Sequence, residues 1–280
     1  MSTLGPRSRR VRPVGVAALL AVAASTGLLA WNAQAATSPA SSSPVSSSPV
    51  SSAASPATVT VTDGAMAYTA ADGQTNKLTI KRVGETDTTL TFGVDDVVEI
   101  TAGTGCAHLT ATDLTYVTCT VPVPDPDHGG DQGNVELGDG NDSAKVSGGD
   151  VNVDGGNGDD TISGASVAVG GDGADTISHA TNANGNAGDD TITDSYAVWA
   201  GDGNDTVIGD DVANEIYGGP GDDYLDGVGN DDSIDGQEGD DTIKGGPGND
   251  YLFGGPGQDD IDGGPGDNVI DQDGSIPEGF

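Results

Sequence analysis

An aliphatic residue recurs at one phase through the C-terminal half of the chain, surrounded by glycine and polar residues. When this half is divided into units of nine, the eighth position of nearly every unit is Ile, Leu or Val. These residues are Ile162, Ile177, Ile192, Val207, Ile216, Leu225, Ile234, Ile243, Leu252, Ile261 and Ile270, with Ala144 in the first unit. An aliphatic residue kept in phase between polar neighbours predicts a short strand whose side chain points into a thin core.

Residues 58–124 show a different pattern, in which apolar and polar residues alternate. Segments such as TVTVT, KLTIKR, TLTFGV and YVTCTV are rich in β-branched residues and are separated by turn residues such as Asp63-Gly64 and Asp72-Gly73. This alternation is typical of strands. It predicts a small all-β unit of five to seven strands directly before the repeats. Because a stack of repeats needs a cover on its open end, the unit is predicted to be a cap.

The composition of the chain limits the ways in which the repeat pattern can fold. The chain has 280 residues, a formal net charge of −36, 46 glycines and only 4% aromatic residues. Such a chain is usually disordered unless its repeats stack or its acids bind cations. The acidic surface argues against nucleic acid and anionic lipid as partners, and it favours cations.

Two further positions of the nonapeptide are nearly constant. Position 6 is Asp or Asn in all twelve units, and position 4 is Gly in all but two, where Val212 and Asn230 stand instead. The units begin at 137, 155, 170, 185, 200, 209, 218, 227, 236, 245, 254 and 263. The segments GGNGDDTIS (155–163) and GGDGADTIS (170–178) resemble the repeat-in-toxin (RTX, hemolysin-type) nonapeptide Gly-Gly-x-Gly-x-Asp-x-aliphatic-x at every position.

The resemblance covers about half of the chain, from 137 to 271, and it implies a right-handed parallel β-roll with several Ca²⁺ ions between stacked turns. Calcium prefers six to eight oxygen ligands, which glycine carbonyls and position-6 side chains can supply. The candidate ligands at position 6 are Asp142, Asp160, Asp175, Asp190, Asp205, Asp223, Asp232, Asp241, Asp250, Asp259 and Asn268. The candidate glycines are Gly156, Gly158, Gly171, Gly173, Gly188, Gly203, Gly219, Gly221, Gly239, Gly246, Gly248, Gly255 and Gly257.

The spacing of the units predicts two unequal flanks. Units from 155 to 200 follow one another every fifteen residues, whereas from 200 onward the step is nine. Alternate units should then fall on opposite sides, so that one flank stacks the units at 155, 170, 185, 200, 218, 236 and 254, with 137 before them. The other flank holds only the units at 209, 227, 245 and 263. Since Asn214 and Asn268 lie on this second flank, the first flank is predicted to be the better calcium ladder.

A comparison of carboxylate repulsion with the free energy gained by burying Ile predicts that the roll needs calcium to fold. Two carboxylates on adjacent coils, about 4.8 Å apart, repel by about 1 kcal/mol in bulk water and by several kcal/mol at an effective dielectric near 20. One buried Ile gains roughly 1.5–3 kcal/mol, which nearly cancels that repulsion. The entropy cost of ordering glycine remains, so the roll is expected to fold only when cations join the turns.

The N-terminal residues predict export. Arg7, Arg9, Arg10 and Arg12 precede an apolar run from Val14 to Trp31, and Ala33-Gln34-Ala35 follows as a cleavage site. Residues 1–35 are therefore predicted to be a secretory signal peptide; a retained membrane anchor is the alternative. After cleavage no membrane-spanning segment is expected. Residues 36–57 are rich in Ser, Pro and Ala, which predicts a linker on a secreted protein, either free or associated with the cell surface.

Cys106 and Cys119 are the only cysteines, and in a secreted chain they predict a disulfide within the 58–124 unit. Residues 125–136 are predicted to be a connector because Pro and Gly punctuate them, and 272–280 a C-terminal tail.

No enzyme motif is found in the sequence, and His108, His128 and His179 are scattered, so no catalytic activity is expected. Two functions remain. One is a secreted calcium-binding protein with a structural, adhesive or surface-display role. The other is a partner-binding or inhibitory module at 58–124 carried on a calcium-dependent stalk. In both, a cell-surface or protein partner is not identified by the sequence.

Overall fold

The computed structural model describes residues 55–123 and 132–272, and all regular structure in them is β-strand. The strands form two 12-stranded sheets, called sheet A and sheet B here. The predicted signal peptide, residues 36–54 of the predicted linker, residues 124–131 and the predicted tail from 273 onward lie outside the described residues.

Seven strands form the N-terminal unit, which is the upper limit of the predicted five to seven. They are β1 (Ala57–Thr62), β2 (Ala65–Thr69), β3 (Lys77–Glu85), β4 (Thr89–Asp95), β5 (Ile100–Ala102), β6 (Cys106–His108) and β7 (Tyr116–Pro122). Antiparallel pairs join β1 to β2, β3 to β4, β4 to β7 and β6 to β7. The predicted disulfide between Cys106 and Cys119 is present, and it links two residues that already face each other across β6 and β7.

The repeats form a parallel β-roll of about eight coils, in which successive strands alternate between the sheets. Sheet A continues through β8 (Gly133–Glu136), β10 (Val151–Asn157), β12 (Val167–Asp172), β14 (Asn182–Ala187), β16 (Ala197–Asp202), β18 (Glu215–Pro220), β20 (Ser233–Glu238), β22 (Tyr251–Phe253) and β24 (Val269–Asp271). Sheet B continues through β9 (Ser143–Ser147), β11 (Thr161–Ser163), β13 (Thr176–Ser178), β15 (Thr191–Thr193), β17 (Thr206–Ile208), β19 (Tyr224–Asp226), β21 (Thr242–Lys244) and β23 (Asp260–Asp262).

The core is the predicted stack of position-8 side chains. Ile162 pairs in register with Ile177, and Ile177 with Ile192, and each is at most 1% exposed. A three-residue strand turns its middle side chain inward and its outer two toward solvent, so one aliphatic residue per unit is enough. From unit 209 onward, the same stacking continues on sheet A through Ile216, Ile234 and Leu252, each 0% exposed.

The N-terminal unit covers the first coil of the roll by extending both sheets. Strand β2 pairs in parallel with β8, and β3 pairs in parallel with β9. The backbone N–H of Asn76 also donates to the carboxylate of Asp142, 2.6 Å away, in the first repeat unit. The cap and the roll therefore share one hydrogen-bonded framework.

The connector prediction was wrong for residues 133–136. These residues form strand β8, whose Val135 is 2% exposed in the core between β2 and β10. The segment is short and follows a run of Pro and Gly, so its single buried valine gave no visible alternation. The roll therefore begins before the first nonapeptide unit at 137.

A search of the described part of the chain for a membrane-crossing helix found none long and apolar enough.

Candidate metal centre

The turns between strands depend on glycine because successive coils stack with almost no space between their backbones. Gly156 and Gly158, at positions 2 and 4, have φ values of 102° and 125°. A Cβ on either residue would collide with the carbonyl oxygen of Gly138 or Gly140 in the preceding coil. Most of the predicted glycines have the same left-handed geometry and the same contact one coil further along, which explains the repeat's demand for glycine.

Three units, those at 185, 227 and 236, carry other residues at these positions and keep a left-handed backbone there; the unit at 209, with Asp210 and Val212, does not. Asn186, Val228 and Gln237 at position 2 and Asn230 at position 4 have φ values between 72° and 75°. Asn tolerates this region, whereas a β-branched residue rarely adopts it. Two of the four, Val228 and Asn230, lie in the single turn that begins at Gly227, on the second flank.

The position-6 carboxylates of the first flank form one continuous hydrogen-bonded column. The Oδ1 atom of each Asp accepts the backbone N–H of the position-6 residue one coil earlier, at donor–acceptor distances of 2.7 to 3.0 Å. The column contains Asp142, Asp160, Asp175, Asp190, Asp205, Asp223, Asp241 and Asp259. The predicted order of units on this flank is confirmed.

The second flank forms a shorter column of the same kind. Asn214 donates to Asp232, Asp232 to Asp250 and Asp250 to Asn268, with N–O distances of 2.8 to 3.0 Å. The amide groups at both ends are occupied. Asn214 Nδ2 donates to Ser195 O and Asp210 Oδ1, and Asn268 Nδ2 donates to the carbonyls of Gly263 and Gly264. Asn268 is thus a predicted ligand whose amide instead closes its own turn.

The second carboxylate oxygen of each column Asp is buried without a hydrogen-bond partner. This holds for Oδ2 of Asp142, Asp160, Asp175, Asp190, Asp205, Asp223, Asp232, Asp241, Asp250 and Asp259. Buried carboxylate oxygens are costly when unpaired, so a repeated set of them indicates a missing positively charged partner.

Glycine at position 1 allows two oxygen atoms to approach each other closely beside the chain. At Gly155, a Cβ would collide with Asp160 Oδ2 and would also contact the carbonyl oxygen of Gly170 in the next coil. The same pair of oxygens, from the unit's own Asp and from the next coil, converges at Gly185, Gly218 and Gly236. Carboxylate and carbonyl oxygens from adjacent coils suit a hard cation such as Ca²⁺. The residues present therefore fit calcium.

Position 1 was missing from the predicted site residues, although the signal was visible. Gly occupies position 1 in ten of the twelve units, the exceptions being Leu137 and Ala200. The structure shows that its role is to leave room beside the Asp of its own unit rather than to turn the chain.

Burial raises the pKa values of the column carboxyls from Asp142 to Asp250 above the ordinary value of 3.8. Desolvation is the largest cause, and the backbone N–H bonds to Oδ1 oppose it. The pKa is raised to about 7 for Asp160, Asp190, Asp223 and Asp232, and to about 6 for Asp175 and Asp241. Neighbouring acids raise these pKa values further. Ionising the column without a cation is therefore unfavourable.

Side chains alone do not make a metal site within the described residues: no group of three or more His, Cys, Asp or Glu is placed to hold an ion. Each turn contributes one carboxylate at position 6, and the remaining oxygens converging there are backbone carbonyls. This arrangement is typical of calcium, whose ligands include backbone carbonyls.

A second ladder runs along the outside of the first flank at position 5. The backbone N–H of Asp222 donates to Asn204 Oδ1, and that of Asp240 donates to Asp222 Oδ1. Here the donor belongs to the later coil, opposite to the direction at position 6. The turns are therefore held on both sides of the glycine backbone. The sequence reasoning did not predict this ladder, although position 5 is usually Asp or Asn.

The comparisons with known proteins agree with this geometry. Residues 137–168, 199–234 and 235–270 match the family model of the RTX calcium-binding nonapeptide repeat (4 copies). No curated protein matches the chain as a relative. The unmatched stretch between 168 and 199 contains fifteen-residue coils, yet its carboxylates Asp175 and Asp190 lie in the same column. Residues 137–270 therefore carry RTX-type calcium-binding nonapeptide repeats, and these repeats form a parallel β-roll.

Proposed function

We propose that this is a secreted protein whose roll folds when calcium binds and then serves as a rigid structural, adhesive or surface-display element. The observation that supports the proposal is the column of buried Oδ2 atoms without a partner. Their carboxyls resist ionisation in the absence of a cation, as their raised pKa values show.

Calcium would replace the repulsion between adjacent column carboxylates by attraction to a shared ion. Without it, adjacent carboxylates repel one another across one strand spacing of about 4.8 Å. With it, an ion beside Asp190 would bind Oδ2 together with carbonyl oxygens of a neighbouring coil, so that ordering one turn favours ordering the next. We therefore expect cooperative binding with weak affinity, on the order of 10⁻⁴–10⁻³ M as in extracellular modules.

The folded shape supports a mechanical or display role. About eight coils at a strand spacing of about 4.8 Å make a stack roughly 40 Å long. The Ser/Pro-rich residues 36–57 would hold this stack away from a cell surface. Where free calcium is low, as inside a cell, the chain would remain unfolded, which suits export before folding. We propose no catalytic activity.

The alternative, in which residues 58–124 bind a partner independently of the roll, has less support. Strands β2 and β3 pair directly with β8 and β9, so this unit is not separated from the roll by a free connector.

A calcium titration of the full chain followed by circular dichroism tests the proposal. In excess chelator the β-sheet signal of the roll should be largely lost, and it should return in a single cooperative transition as calcium is added. Magnesium at the same concentration is the control, since it demands a rigid octahedron and dehydrates reluctantly. A β-sheet signal of equal intensity in chelator and in calcium would contradict calcium-dependent folding.

A further inference from the structure

The outer face of sheet A carries two aromatic residues on either side of an acid. Tyr217 on β18 pairs in register with Asp235 on β20, and Asp235 pairs with Phe253 on β22. Their inward neighbours Ile216, Ile234 and Leu252 are 0% exposed, so all three side chains project from the opposite, outer face. Two strand spacings, or about 10 Å, separate the backbones of Tyr217 and Phe253, and Asp235 lies on the strand between them.

Tyr217 is held in place before any ligand arrives. Its ring stacks on Trp199 of β16, with centroids 5.9 Å apart and planes inclined by 10°. Its hydroxyl donates to Glu215 Oε1 at 2.8 Å. Because Trp199 covers one face of the ring, the other face is directed along the sheet toward the strand of Asp235. The aromatic wall is therefore preorganised, which lowers the cost of binding.

Within the described residues, no cation of the chain lies on the sheet of Asp235. Every Lys and Arg in the described residues lies on sheet B, in β3, β9 or β21. Asp235 is half-buried, and the backbone of Gln237 donates to its carboxylate. The acid is therefore partly desolvated, and its nearest outward neighbours in the sheet are aromatic.

Sheet B contains an example of a cation lying over an aromatic ring. There the Lys244 ammonium lies over the ring of Tyr224, 4.9 Å from its centroid, and donates to the Tyr224 hydroxyl at 2.9 Å. A cation held above Asp235 would lie about one strand spacing, or about 5 Å, from each of the strands that carry Tyr217 and Phe253, and cation–π attraction operates over about 6 Å.

We propose that Tyr217, Asp235 and Phe253 form a binding site for a quaternary ammonium group. A primary ammonium needs three hydrogen-bond acceptors and is strongly hydrated, whereas this site offers one carboxylate and two ring faces. A quaternary ammonium needs no hydrogen bonds and is attracted by both rings and by the negative charge. The site lies on the outer face of sheet A, one residue before the position-1 glycines Gly218, Gly236 and Gly254, so it borders the calcium turns but uses side chains that are not among the proposed calcium ligands.

Titration of the calcium-saturated full chain with choline, followed by NMR or calorimetry, tests the site. Choline should bind saturably and more tightly than ethanolamine, its primary-ammonium analogue. The uncharged carbon isostere dimethylbutanol should bind at least about fivefold more weakly, since it keeps the shape but loses the cation–π attraction. Phosphocholine should also bind more weakly than choline, because its phosphate is repelled by the acidic face. This arm distinguishes a free quaternary ammonium from a lipid headgroup.

Two variants locate the site, and a third is the matched control. Asp235→Asn and Phe253→Leu should each weaken choline binding by about fivefold or more. Asp226→Asn removes the same charge from the same repeat position on sheet B and should leave choline binding unchanged. Circular dichroism in calcium checks that all three variants fold. Equal binding of choline and its uncharged isostere, an equal loss with Asp226→Asn, or no saturable binding would overturn the proposal, whatever the outcome of the calcium titration.

Discussion

At the scale of the residue, the two flanks differ in charge rather than in burial. Asp190 and Asp232 are 2% and 1% exposed, and desolvation raises the pKa of each to about 7. The difference lies in their neighbours: Asp190 stands between two carboxylates, Asp175 and Asp205, whereas Asp232 adjoins the amide of Asn214. A calcium ion beside Asp190 is therefore close to more negative charge than one beside Asp232.

We expect Asp190→Asn to raise the calcium midpoint of folding by about tenfold, which is about 1.4 kcal/mol, and Asp232→Asn to raise it clearly less. Asparagine keeps the oxygen that accepts the backbone N–H and removes only the charge, as the chain itself does at 214 and 268. The measurement is circular dichroism against free calcium for each variant. Equal shifts would mean that the flanks are equivalent ladders.

At the scale of the element, the sequence predicted the roll well because nearly every unit has the same pattern of glycine, acidic or amide residue, and aliphatic residue. The phase of position 8 located the buried side chains, and the change of step from fifteen to nine located the two columns. Features that depend on contact between distant residues were not predicted. Strand β8 was missed because only its pairing with β2 and β10 identifies it. The Tyr217–Asp235–Phe253 ladder was missed because position 9 holds no constant residue type that would mark it in the sequence.

The disulfide lies at the outer edge of the cap. Cys106 and Cys119 join β6 and β7, which lie at the end of sheet B, two strands beyond the β3–β9 junction. We expect a Cys106→Ser/Cys119→Ser variant to lose about 3 kcal/mol in the stability of the N-terminal unit, as the chain-entropy model gives for a loop this short. Its calcium midpoint should change little. Thermal unfolding and calcium titration of the variant measure the two effects, and loss of calcium-induced folding would show that cap and roll fold as one cooperative unit.

At the scale of the whole molecule, the roll is a long array of acids that a cation or a proton can neutralise. Six column carboxyls have pKa values of about 6 to 7, against 3.8 for an ordinary Asp. Between about pH 4 and pH 7 the folded roll therefore binds more protons than the unfolded chain. The free energy of unfolding without calcium must then fall as pH rises through this range. Calcium must displace these protons to bind.

We therefore expect opposite pH dependences with and without calcium. The calcium-free roll, prepared over chelating resin, should be more folded at about pH 4.5 than at about pH 7.5, because the carboxyls whose repulsion opposes folding are then protonated. Calcium binding should require more calcium as pH falls below about 7 and should release protons, measurable by calorimetry in buffers of different ionisation enthalpy. Replacing the column residues Asp160, Asp190 and Asp223 by Asn should reduce the proton release, whereas replacing the exposed Asp172, Asp202 and Asp222 should not. A calcium-free roll that becomes more stable as pH rises, or calcium binding without proton release, would show that the column carboxyls are already ionised before calcium arrives.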